Sequence, residues 1–351
     1  MGKKGIVFLL IITMVFSLSA CSNTKEKRYE ASFLDLFDTM TRVVGYADSE
    51  EEFKQYAQMI HDELKVYHDL YDIYHNYVGI NNIKTINDNA GIKPVKVDQK
   101  IIDLIQLSIK LDEITSEKIN IAFGAVLSVW HQYRTEGLDD PDQAKLPSMD
   151  VLKEKANHID INKVIVDEEA STVFLSDPEM RLDVGAIAKG YATERVSIFA
   201  KEQGFQNGML SVGGNVCTIG SKLDGKDGDN TWSVGIQNPD LQSEKTNLYI
   251  LGLNDYSLVT SGVYERYYTV DGKQYHHIID PETLMPSEYF LSVSIVCRDS
   301  GMADALSTSV FNMPYEDGLQ LIESLEETEA LWVLHDGSMK FSSGFEKFIK
   351  K

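Results

Sequence analysis

The chain has 351 residues, 43% of them hydrophobic and 10% aromatic, and a formal net charge of −21. That length fits one large domain or two modest ones with a sizeable core. The acidity excludes nucleic acid as a partner, because phosphate backbones need clustered Lys and Arg. It does not exclude a small phosphorylated ligand, whose charge a divalent cation or a helix N-terminus can offset locally.

The N-terminus reads as a secretory signal. Lys3 and Lys4 precede an apolar run from Ile6 to Phe16, too short for a transmembrane helix. The run closes on Leu18-Ser19-Ala20-Cys21, which resembles a bacterial lipobox; the alternative is a plain signal peptide with an incidental Cys. Residues 1–20 are therefore a leader, Cys21 the lipidated (palmitate-bearing) residue, residues 21–32 anchor and tether, and residues 33–351 the folded domain. The expected location is the extracytoplasmic face of the cell membrane. Cys217 and Cys297 lie in apolar, strand-like runs and read as buried free thiols. No CxxC or Cys/His cluster suggests zinc.

Phe33 to Ala47 reads as a first strand. Phe53, Tyr56, Ile60, Leu64 and Tyr67 recur at helical steps within Glu50 to Tyr71. Tyr71 to Gly91, rich in Asn, Asp, Tyr and Gly, reads as a long functional loop. Val97 to Glu117 is a second helix, and Trp130 to Pro147 a polar surface segment. Val164–Asp167 and Thr172–Leu175 form a hairpin. Ala186 to Gln203 is helical and stops at Gly204. Strands follow at Met209–Val212, Trp232–Ile236, Leu248–Leu253, Ser257–Val259, Tyr267–Val270 and Leu291–Cys297. Ala303 to Asn312 is a helix, and Leu331–His335 with Lys340–Phe341 a last hairpin around Asp336-Gly337. Strands separated by short turns in the second half predict an α+β protein with a largely antiparallel sheet.

Five constellations offer chemistry. Asp183 to Ala192 passes through a Gly-Ala turn into a helix carrying Lys189 on its first turn, a place where phosphate can meet free N–H groups; Asp183 could equally cap the helix. Gly213-Gly214-Asn215 follows a strand, as an ordinary turn or a close approach to a ligand. Arg266, after Ser261-Gly262, is a phosphate binder or a surface ion pair. In His276-His277-Ile278-Ile279-Asp280-Pro281, extended backbone sends one His to a cleft and the other to solvent. Asp304 and Thr308 share a helix face and give hard oxygen ligands suited to Mg²⁺, unless Thr308 bonds back to a carbonyl.

In this order and spacing the five resemble the FAD:protein FMN transferases, the ApbE-type flavin transferases, from about Phe33 to the C-terminus. The resemblance implies an ApbE-like, T-fold-like α+β architecture with a smaller helical and loop region. It implies that Asp304, Thr308 and the Ala186 carbonyl hold Mg²⁺, that Asp183 and Lys189 contact FAD with Gly213, Gly214, Asn215 and Arg266, and that His277 sits at the reaction centre while His276 is a bystander. Phe37, in Phe37-Asp38-Thr39, is placed against the flavin or adenine. Tyr74, or else Tyr71, stacks on FAD. Lys118-Ile119-Asn120 matches a segment that usually ends in Asp, so a charge is lost there. Thr283-Leu284 stands where the family has Thr-Gly.

The activity so implied is transfer of the FMN half of FAD to a Thr or Ser hydroxyl of a target protein, with Mg²⁺ as cofactor, His277 as general base and AMP as leaving group. The target expected is a respiratory or extracellular electron-transfer protein. Attack by water would make the same site an FAD pyrophosphatase. A flavin- or solute-binding lipoprotein without catalysis is the rival from another class, and it has no need of Asp304, Thr308 and His277 together.

Overall fold

A computed structural model of the chain describes residues 26–351. The leader, Cys21 and the first part of the tether lie outside the described residues. Strand β1 (Lys27–Leu36) takes over the rest of the tether, so the segment expected to be a linker as far as residue 32 is sheet from Lys27. β1 pairs antiparallel with β2 (Thr39–Ala47). Phe33 to Ala47 is thus a hairpin, not one strand. It turns at Phe37 and Asp38, whose φ angles are 54° and 51°. Two left-handed residues are what a tight hairpin turn requires, but they are normally announced by Gly or Asn, and Phe-Asp hides the turn.

Helix α1 (Glu50–Tyr71) starts at Ser49, whose side chain accepts the Glu52 N–H, and buries Phe53, Ile60, Leu64 and Tyr67. The long loop after it contains α2 (Ile83–Asp88), opened by an Asn82–Thr85 capping box. β3 (Val95–Lys96) and α3 (Gln99–Ile114) follow. The segment expected to wander over the surface from Trp130 is largely helix: α4 (Gly124–Asp139) runs through it and buries Trp130. After α5 (Met149–Lys155), β4 (Val164–Asp167) and β5 (Thr172–Leu175) form the expected hairpin, with β3 on its edge. Helix α6 (Ala188–Glu202) begins two residues later than its composition suggested and ends before Gly204, φ 102°.

The second half carries β6 (Gly208–Val212), β7 (Asn215–Ile219), β8 (Trp232–Gln237), β9 (Asn247–Leu253), β10 (Ser257–Gly262), β11 (Tyr267–Val270), β12 (Lys273–His276) and β13 (Ser292–Cys297). Then come α7 (Ser300–Phe311), α8 (Tyr315–Glu323), β14 (Glu329–Val333) and β15 (Met339–Phe341). An eight-stranded sheet in the order β1-β2-β6-β7-β10-β13-β14-β15 organises the chain, and each of its pairings is antiparallel. The α+β expectation holds.

Period-two alternation in the strands gives the sheet two apolar faces. Val43 and Leu210 face α1 and α6, while Val293 and Ile295 face α7. On the other side Val44, Leu258, Val296 and Leu331 receive Trp232, Val234 and Leu251 of the β8–β9 hairpin. Cys217 and Cys297 are buried and unbonded to one another. No helix among the described residues is long and apolar enough to cross a membrane.

Candidate active site

Where α6 and α7 cross, the packing is closer than side chains allow. A Cβ on Gly190 would stand 2.3 Å from the Ser300 carbonyl oxygen and 2.4 Å from Asp304 Cβ. The absent side chain lets the Gly190 N–H donate to Asp304 Oδ2 at 2.8 Å. Gly190 is the third residue of α6, so its N–H has no carbonyl of the helix to meet, and Asp304 satisfies it; among the described residues no backbone N–H donates to the Ala186 carbonyl. Thr308 lies one turn along α7 from Asp304 and is half-buried. Asn215 faces the same carboxylate, yet its Nδ2 is buried without a hydrogen-bond partner. Burial pushes the Asp304 carboxyl above the usual range, and the Lys189 charge, the Gly190 N–H and Asn215 pull it back.

These donors suit Mg²⁺. A buried carboxylate, a hydroxyl and a spare carbonyl are hard oxygen ligands, and Mg²⁺ completes its shell with water and substrate phosphate. The described residues contain no group of three or more His, Cys, Asp or Glu that could hold a metal by itself, so an ion here would depend on hydroxyl, carbonyl, water and phosphate oxygens as well.

The crossing forms one wall of a cleft of about 870 Å³, and each sequence-predicted site residue within the described part lines it. Phe37 comes from the β1–β2 turn, Tyr74 from the loop after α1, and Lys118, Ile119 and Asn120 from the link between α3 and α4. Asp183, Ala186 and Lys189 come from the entry to α6, Gly213 to Asn215 from the β6–β7 turn, Arg266 and His277 from either side of β11–β12, and Asp304 and Thr308 from α7. The two glycines have φ of 55° and 89°. A Cβ on Gly213 would meet Thr39 at 2.7 Å, while Gly214 has open space before it.

His277 Nδ1 lies 3.2 Å from the Arg266 carbonyl. A carbonyl only accepts, so Nδ1 carries the proton and Nε2 keeps its lone pair. Burial, then Arg266, Arg134, His276 and Lys189, push the ring pKa down to about 3, so the imidazole is neutral at neutral pH. His276 does not face solvent as expected. It is buried edge-on against Phe311, with Nε2 2.9 Å from the Ser287 carbonyl.

Tyr74 is 53% exposed, whereas the alternative, Tyr71, is 4% exposed and spends its hydroxyl on the Lys100 carbonyl. Tyr74 OH lies 3.1 Å from His131 Nδ1, and burial followed by the Asp183 charge raises the phenol to about 12. The Phe37 N–H donates to His68 Nδ1 at 3.0 Å, and the two rings meet edge to face. Lys118 is held by Glu282 at 2.8 Å and Asp280 at 3.4 Å. Asn120 accepts from the Ala122 N–H and donates to the Ile159 carbonyl, a pairing that an ionised Asp could not complete. Asp183 is no helix cap: its Oδ1 accepts from Gly185 N–H at 2.9 Å, ahead of a helix that starts at Ala188. Leu284 keeps the shape of the missing glycine with φ 60°, and its carbonyl accepts the Trp130 indole N–H at 3.0 Å.

Sequence reading missed His131 and Arg134, which also line the cleft. With Leu127 they recur at four- and three-residue steps along one face of α4, beside a buried stripe of Val126, Trp130 and Gly137. That double periodicity was the available signal.

Comparison with known proteins bears on the family and the fold. The family model described as the ApbE family matches residues 37–332. An FAD:protein FMN transferase of Klebsiella pneumoniae is 32% identical over 74% of this chain and 77% of its own length. One of Treponema pallidum is 33% identical over 75% and 73%. The solved ApbE protein of Thermotoga maritima superposes with a TM-score of 0.80 at 27% identity, covering 93% of this chain and 100% of that one. With a match running from the β1–β2 turn into β14 and relatives about a third identical, the chain belongs to the ApbE family.

Proposed function

We propose that the chain transfers FMN from FAD to a Ser or Thr hydroxyl of another protein, with Asp304, Thr308 and the Ala186 carbonyl holding Mg²⁺. The supporting observation is the company Asp304 keeps: a carboxylate locked to Gly190 N–H, with Lys189, Arg266 and a neutral His277 in the same cleft of an acidic chain. The curated relatives bear the name FAD:protein FMN transferase.

Asp304, Thr308 and the Ala186 carbonyl would hold Mg²⁺, which would supply positive charge to offset that of the substrate's phosphates. Lys189 from the α6 side and Arg266 from beside β11–β12 orient those phosphates. His277 Nε2 takes the hydroxyl proton as the new O–P bond forms and the bond to the AMP oxygen breaks. The Arg266 carbonyl, by holding Nδ1–H, keeps Nε2 in the accepting tautomer. Phe37 and Tyr74 offer aromatic faces at the mouth. Incubation with FAD, Mg²⁺ and a Thr-containing acceptor peptide is expected to yield a covalently fluorescent peptide and one AMP per label. Free FMN and AMP without label would mean hydrolysis, and unconsumed FAD simple binding; either result overturns the transferase reading.

The anchor belongs to the same proposal. With Cys21 lipidated and β1 starting at Lys27, the domain sits close to the outer membrane surface, where membrane-bound electron-transfer proteins are the reachable targets. Cys21→Ala is expected to move the protein from the membrane to the soluble fraction. An unchanged distribution would remove the anchor.

A further inference from the structure

We infer that Arg134, on the cleft-facing side of α4, is a second anion clamp that binds the diphosphate of the dinucleotide away from the Asp304–Thr308 wall. The inference rests on the proposed handling of FAD. Arg134 is half-buried and lines the cleft. A guanidinium has five N–H donors in a rigid fork, and among the described residues none gives Arg134 a hydrogen bond or an ion pair. Lys118 and Lys163, also partly buried, are by contrast satisfied, the first by Asp280 and Glu282 and the second by Asp177; among the described residues Lys189, the other partly buried cation of the cleft, is the one that shares the unpaired state of Arg134.

The neighbourhood makes this half-buried guanidinium unfavourable in the free protein. Burial lowers the pKa of Arg134, Arg266 lowers it further, and Tyr74 and Asp183 work against them. Asp183 itself is already engaged by the Gly185 N–H and stands 3.8 Å from His131 Nε2. Two guanidiniums facing one space, with a single carboxylate nearby already in use, are relieved by a ligand carrying at least two negative charges. Arg134 is also well placed mechanically. One turn before it, Trp130 is buried and hydrogen-bonded to Leu284, which fixes α4 against the turn after Asp280. An arginine so held meets a phosphate without first losing much freedom. It also faces charge that grows on the departing phosphate as the P–O bond breaks.

The test is titration of wild type, Arg134→Gln and Arg134→Lys with FAD, ADP and riboflavin, alongside their melting temperatures. R134Q is expected to bind FAD and ADP roughly ten-fold more weakly, because a charge-assisted pair to phosphate is lost. Riboflavin affinity should stay at the wild-type value, the melting temperature of the free protein should hold or rise because an unfavourable charge is removed, and R134K should recover part of the lost affinity. FAD and ADP affinities unchanged in R134Q would overturn the inference. So would a lowered melting temperature with riboflavin weakened equally, because that marks a displaced α4. Wild type failing to bind FAD at all would instead sink the functional reading on which this rests.

Discussion

Replacing Asp304 with Asn is expected to reduce Mg²⁺-dependent FAD turnover by about 10³-fold while making the metal-free protein more stable. The carboxylate is 5% exposed, and burial holds its pKa above the usual range. A group whose folded pKa is raised contributes stability below its unfolded value and loses it as pH rises through the folded one. At neutral pH, ionised Asp304 is therefore a cost. Asparagine keeps the volume and an oxygen for the Gly190 N–H but carries no charge to desolvate. The gain is about 1 kcal/mol, roughly 2–4 °C in melting temperature, and the difference from wild type should widen as pH rises through the folded pKa. Added Mg²⁺ should raise the melting temperature of wild type and leave that of D304N unchanged. Asp304→Ala separates the effects: it also abolishes turnover, but strands the Gly190 N–H and opens a void, and so destabilises. If D304N kept full turnover, Asp304 would not be a metal ligand. If it melted lower than wild type, its carboxylate would be structural.

How far the sequence discloses this protein depends on whether a residue's neighbours are local. Alternation along β8, with Trp232, Val234 and Ile236 buried and Ser233 and Gly235 exposed, is visible because one face meets the core and the other water. The α1 helix is visible for the same reason. The β1–β2 turn is not, because Phe37 and Asp38 adopt a glycine-like conformation without glycine, held by a His68 contact from α1 that local sequence does not contain. Helix α4 was missed because its polar face is turned toward a cleft, and a polar face inside a molecule reads like a surface. Arg134 and His131 are informative for that very reason. The motif residues behaved differently. Asp304, Gly190 and Asn215 are far apart in the chain, and each taken singly suits a cap, a packing contact or a turn. Their order resembles a family, but the reason they act as a unit, a first-turn N–H of one helix bonded to a carboxylate of another, requires α6 and α7 to be seen crossing.

Gly190→Ala is the substitution that tests this crossing, and it is expected to cost more than 100-fold in turnover together with a clear loss of stability. The added Cβ would lie 2.3 Å from the Ser300 oxygen and 2.4 Å from Asp304 Cβ, backbone and stem atoms that cannot swing aside. Relief requires α6 and α7 to separate by about an ångström, at an overpacking cost of about 1–3 kcal/mol. Separation stretches the 2.8 Å bond from Gly190 N–H to Asp304 and frees the carboxylate from the orientation that bond gives it. Asp304, one of the three ligand groups proposed for Mg²⁺, would then be misplaced by a methyl group that touches neither substrate nor metal. The expected signature is a higher Mg²⁺ concentration for half-maximal activity, with riboflavin affinity little changed. Gly337→Ala serves as the control: its φ is 80° and a Cβ there meets nothing within 4 Å, so it should lower stability by about 1 kcal/mol from backbone strain alone and leave turnover intact. Equal effects of the two substitutions on activity would show that the α6–α7 contact is ordinary packing and not what orients the Asp304 carboxylate.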